Sequence, residues 1–155
     1  MKLKDFIVAD AIVADLAAGD RDGALRELVM SLATAGALPA DAVDEVVASL
    51  IKREQNGSTG FGKGVAVPHV KHPKIAKMAG TVGRSEKGID FAALDNQPVY
   101  SIVLLLSPEN QPQQHLNAMN IVFTNLQKDM FRKFLRGSAT KQAISDLLDE
   151  ADQGK

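Results

Sequence analysis

The sequence predicts an α/β domain with helices packed on both sides of a small sheet. Three observations carry that expectation. Apolar residues recur at helical spacing in five separate segments. The run Val99 to Leu106 is apolar almost throughout and reads as a central strand buried on both faces. Between these lie short β-branched runs punctuated by glycine and proline. A chain of 155 residues suits one compact core better than two, so residues 1–155 are expected to form a single domain.

Along the chain, Ala11-Ile12-Val13-Ala14-Asp15-Leu16 reads as a strand. Asp20 is placed to cap a helix with the stripe Leu25, Leu28, Val29 and Leu32, closed by Gly36. A second helix is expected from near Pro39, with Val43, Val46, Val47, Leu50 and Ile51 inward, and Asn56-Gly57 stopping it. Arg53 then falls in its last turn. GSTGFGKG, residues 57–64, holds four glycines in eight positions and is expected to be a loop. Val65-Ala66-Val67 is a brief strand ended by Pro68-His69, and a weaker strand follows around Met78 to Gly83, with Gly88 opening a turn. After Val99–Leu106, helical spacing returns with His115, Met119, Val122 and Leu126 on one stripe. Asp129 and Ser138 are expected to cap two final helices, carrying Phe131 and Phe134 and then Ile144, Leu147 and Leu148.

Composition excludes several functions. A net charge of -1 argues against a general nucleic-acid binder, which needs an excess of Lys and Arg. With no cysteine there is no disulfide, thiolate chemistry or cysteine zinc site. The first residues lack a secretory h-region, and no apolar run approaches membrane-spanning length. A soluble, cytoplasmic protein without membrane insertion is expected.

The only histidines are His69, His72 and His115. His69 follows a glycine-rich loop and Pro68, whose ring fixes its own φ and restricts Val67, so its imidazole is presented on a stiff corner. Such a ring serves as nucleophile or proton carrier near neutral pH, although a turn histidine without chemical duty fits the same residues. Gly57 to Lys63 matches GxxxxGK, but Gly64 stands where a P-loop needs Ser or Thr, and the loop follows a helix. No metal or cofactor is expected: His69-x-x-His72 with His115 lacks cysteine support, and Lys71, Lys74 and Lys77 oppose a cation. Ser58 lacks the G-x-S-x-G elbow of a hydrolase. Bland readings stand beside the functional ones: helix polarity for Arg53, a core-edge position for His115, and a solvated surface for the lysines.

Arg53-Glu54 followed by Ser58-Thr59-Gly60-Phe61-Gly62-Lys63-Gly64-Val65-Ala66-Val67-Pro68-His69 carries the pattern R-E-x-x-x-S-T-G-x-G-x-G-x-A-x-P-H without a gap. This resembles the signature of the mannitol/fructose-type (type 2) IIA domain of the bacterial phosphoenolpyruvate-dependent sugar phosphotransferase system, including its nitrogen-regulatory branch. His115-Leu116, Gly88-Ile89-Asp90-Phe91 and Asp95-Asn96-Gln97-Pro98-Val99 add to the resemblance, which covers essentially the whole chain. It implies a mixed sheet of about five strands. It also implies that His69 is phosphorylated at Nε2 by the histidine-containing phosphocarrier protein and passes the group to a IIB partner. His115 then hydrogen-bonds the phosphoryl oxygens, Arg53 supports the phosphorylated state, and Ser58, Thr59, Gly60, Gly62 and Gly64 form the loop near the phosphate. Glycine amides there are expected to form an anion-binding nest. Two roles follow from the resemblance: sugar uptake, or a free-standing regulatory protein that controls its targets by its phosphorylation state.

Overall fold

The computed structural model describes residues 1–154. Its sheet is organised by the ten-residue strand β5 (Val99–Pro108). Strand β4 (Ala79–Ile89) runs antiparallel along one edge of β5, from Ala79 opposite Leu106 to Ile89 opposite Val99. The other edge of β5 is shared end to end by two short parallel strands. β2 (Val65–Ala66) lies opposite Ser101 and Ile102, and β3 (His69–His72) lies opposite Leu105 to Pro108. β1 (Gly60–Gly62) pairs antiparallel with β2. The result is a mixed five-stranded sheet.

From Ile102 to Leu106, β5 alternates between two apolar layers, as a strand buried on both faces must. Ile102, Leu104 and Leu106 face α1 (Arg21–Thr34) and α2 (Val43–Gln55), packing with Leu25, Leu28, Leu32, Val46, Val47 and Leu50. Val103 and Leu105 face α3 (Pro112–Leu126), α4 (Asp129–Gly137) and α5 (Lys141–Asp152) through Val122, Leu126, Phe131, Leu135, Ile144 and Leu148. Helices thus cover both faces, as the sequence predicts.

Several local expectations are corrected. Residues 11–16 form no strand. A 3₁₀ turn (Ala9–Ala11) is followed by a single bridge, Val13 opposite Gly83, and another such bridge joins Ile7 to Gly80. Ile12 is buried and Val13 half-buried there, but the backbone meets the free edge of β4 only at separate points. The glycine-rich segment is a hairpin as much as a loop. Lys63 and Gly64 both take positive φ, 61° and 78°, between the paired Gly62 and Val65, which is the backbone of a two-residue primed turn. β4 continues well past Gly83, and Gly88 (φ 86°) lies inside it, where the pairing with β5 shifts register. The backbone N–H of Ala143 is capped by Thr140, not Ser138, and Asp129 is the first residue of α4 instead of its cap. Phe134 points outward at 53% exposure while Phe131 is buried. The caps at Asp20, where the carboxylate accepts from Gly23 N–H, and the stop at Gly36 (φ 81°) match expectation.

Candidate active site

His69 is placed by an interrupted strand. Pro68 has no N–H to offer, yet its carbonyl accepts from Leu105 N–H at 2.9 Å, so the chain stays in register with β5 across the proline. Val67 N–H turns the other way and donates to Thr59 O at 3.2 Å. His69 is therefore the first residue of β3, and its side chain lies on the α3 side of the sheet with its partner Leu105. The ring is half-buried, less open than the exposed corner the sequence suggests. Its Nδ1 lies 2.7 Å from Val67 O. A carbonyl only accepts, so Nδ1 carries the proton and Nε2 keeps its lone pair.

His115, in the first turns of α3, is buried beside it, the two ring centroids lying 5.6 Å apart at 44°. His115 Nδ1 lies 2.6 Å from the buried hydroxyl of Ser107 on β5. Both imidazoles are held below the ordinary histidine range. For His69 the leading cause is burial, aided by the charges of Arg53 and Lys71 and opposed by the Val67 carbonyl and Glu54. For His115 burial, then His69 and Lys71, bring the value to about 4. Two neutral rings thus stand side by side near pH 7.

Arg53 occupies the last turn of α2, and its Nη1 donates to Gly57 O at 2.7 Å, tying the helix end to the loop. Glu54 beside it is only 4% exposed, and its carboxylate accepts from both the backbone N–H and the hydroxyl of Thr59. Ser58 Oγ donates to Phe91 O at 2.6 Å and accepts from Gly60 N–H at 3.0 Å. Several loop amides expected to cradle an anion are therefore already engaged. Gly57 N–H goes to Glu54 O, Thr59 N–H to the Glu54 carboxylate, Gly60 N–H to Ser58, and Lys63 N–H to Asp95. Gly62 and Gly64 shape the hairpin (φ 109° and 78°), with Gly64 O accepting from Tyr100 N–H and Ser101 N–H. In this arrangement the loop stiffens the approach to His69 more than it offers free donors.

The structure brings together His69, His115 and, through its charge on the His69 ring, Arg53. It separates His72, which is buried and bonded elsewhere: Nδ1 accepts from Lys74 N–H at 3.1 Å and Nε2 lies 3.8 Å from Glu45 on α2. Sequence reasoning passed over Glu54 and Ser107. Glu54 is visible as the second residue of the signature, whereas Ser107 stands just past the apolar run Val99–Leu106 and carries no signal of its own.

With this geometry in place, comparison with known proteins is decisive. The family described as "Phosphoenolpyruvate-dependent sugar phosphotransferase system, EIIA 2" matches residues 5–151. The chain belongs to this family. Among curated relatives, a "Nitrogen regulatory protein" of Bradyrhizobium diazoefficiens is 37% identical over 148 residues, covering 96% of this chain and 95% of that one. A "PTS system fructose-specific EIIA component" of Haloferax volcanii is 30% identical over 84% of this chain and 83% of its own length. Among solved structures, "Nitrogen Regulatory Protein IIA-Ntr from Neisseria meningitidis" superimposes with a TM-score of 0.83 at 28% identity, covering 93% of this chain and 97% of that one. This EIIA domain therefore has both sugar-system and nitrogen-regulatory relatives. Among its described residues no helix is long and apolar enough to cross a membrane.

Proposed function

We propose that this EIIA domain carries a phosphoryl group on His69 Nε2, accepted from the histidine-containing phosphocarrier protein and passed to a IIB partner. One observation carries the reading: Nδ1 of His69 is committed to Val67 O, which leaves Nε2 as the ring's only nucleophilic nitrogen. In the transfer, the Nε2 lone pair forms the new N–P bond as the donor's bond to phosphorus breaks, and the donor nitrogen takes back that electron pair. No proton has to leave His69. The positive charge that develops on the ring is stabilised by the Val67 carbonyl at Nδ1, the contact that already favours the charged ring. Lowered basicity keeps the nucleophile unprotonated near neutral pH. Arg53 and a hydrogen bond from His115 then stabilise charge on the phosphoryl oxygens.

A regulatory role in the nitrogen-related branch is the second reading, favoured by the full-length 37% match to a nitrogen regulatory protein. It uses the same chemistry and differs in partners. The test is incubation with phosphoenolpyruvate, the first enzyme of the system and its phosphocarrier, followed by intact mass. One added phosphoryl group, labile to acid and absent in His69→Ala, is expected; label that persists in His69→Ala contradicts the proposal.

A further inference from the structure

The two histidines of this site need opposite protonation patterns, and the structure holds a separate group to set each one. Val67 O sets His69, as described above. For His115 the group is Ser107, and its position follows from the sheet. Ser107 stands next to the last residue of β5, opposite Lys71 of β3, two residues along from the pair His69 and Leu105. Residues 105 and 107 share a face of the strand, so Ser107 faces the same α3 layer as His69. Ser107 is 1% exposed, and its hydroxyl has one side-chain partner among the described residues, His115 Nδ1 at 2.6 Å.

A hydroxyl in that position has two ways to pair with a neutral imidazole. If Nδ1–H donates to Ser107 Oγ, the serine proton is left buried with no acceptor, which carries the full penalty of an unmade hydrogen bond. If the hydroxyl donates to Nδ1, a single bond satisfies both groups, and the ring's one proton sits on Nε2. Nε2 is on the ring edge away from Ser107 and makes no hydrogen bond among the described residues, yet it is not sealed from solvent. The second arrangement leaves no buried polar atom of Ser107 or His115 unpaired.

We propose that Ser107 is a positioning residue that fixes His115 as the Nε2–H tautomer, so that His115 can only donate, never accept, at the edge facing the phosphoryl site. The donor role rests on the phosphoryl-carrier reading; the tautomer does not. Without Ser107 the ring is free to take the other tautomer, whose Nε2 lone pair would repel the phosphoryl oxygens, and to rotate. Ser107 thus acts through His115 and touches no reacting atom.

The test is a long-range proton–nitrogen NMR spectrum of the unphosphorylated chain with 15N-labelled histidine at neutral pH. The wild-type spectrum is expected to show His115 with a protonated Nε2 and a bare Nδ1. Ser107→Ala should move those two nitrogen shifts toward each other as the tautomers mix, and Ser107→Thr, which keeps the hydroxyl, should restore them. Phosphoryl transfer should slow roughly 10-fold in Ser107→Ala and recover in Ser107→Thr. A wild-type His115 with its proton on Nδ1 overturns the proposal without any variant having to fold. Unchanged tautomer shifts in a folded Ser107→Ala overturn it as well. A wild type that keeps the Nε2–H tautomer but takes up no phosphoryl group overturns the carrier reading instead, so the two failures are distinct.

Discussion

Glu54 shows how a buried carboxylate holds the loop before His69. Its carboxylate is nearly sealed from solvent and holds Thr59 at both N–H and O–H, while Arg53, one residue earlier, holds Gly57 O. Two neighbours at the end of α2 thus fasten the two halves of the loop that leads to His69. Glu54→Ala leaves both Thr59 donors without their partner, and we expect it to lower stability by roughly 1–3 kcal/mol in urea unfolding. Phosphoryl acceptance should slow as the loop loosens; wild-type stability in that variant would show that water replaces the carboxylate without loss. At this scale the sequence was most informative where chemistry is local. Pro68-His69 and the run from Arg53 could be read directly, because one continuous segment builds that part of the site. Ser107 could not, since its meaning comes from a histidine eight residues later, on a helix that folds back across the strand end. The amide nest was expected from glycine content alone, but internal partners claim several of those amides.

Elements with one-sided or two-sided burial were legible because burial imposes a period. The stripes of α1, α2 and α3 and the unbroken run of β5 fall where the sequence places them. Elements held by the sheet edge were not. Residues 11–16 have strand composition but form only one bridge with β4, at Val13, and β4 itself outruns its apolar signal because pairing with β5 supports polar positions such as Arg84. The same pairing makes one glycine indispensable. A Cβ on Gly80 would sit 2.9 Å from Leu104 O, a backbone atom of the central strand that cannot step aside. Gly80→Ala should therefore destabilise the fold by roughly 1–3 kcal/mol. Gly19→Ala, where a Cβ meets nothing within 4 Å, should change the unfolding midpoint little. Equal midpoints for the two variants would mean that β4 and β5 can separate locally at no expense.

Across the whole molecule, two helical layers close on one sheet, and the site sits where the short parallel strands meet the start of α3. Burying two imidazoles there links stability to pH. Both rings bind protons less readily folded than unfolded, where a histidine titrates near 6.5. As pH falls below that value the unfolded chain takes up protons that the folded chain refuses. The stability linked to these rings is thus complete above about pH 6.5 and declines toward about 4, where His115 titrates. A shallower decline is expected for His115→Gln over the same range, measured by urea unfolding; identical slopes would place the acid sensitivity elsewhere. The most direct measurement of the central claim is the proton–nitrogen NMR spectrum of the phosphorylated chain. It should show phosphorus bonded to His69 Nε2, with Nδ1 keeping its proton and donating it in a hydrogen bond to Val67 O. Phosphorus on Nδ1, or on any residue other than His69, would contradict the account.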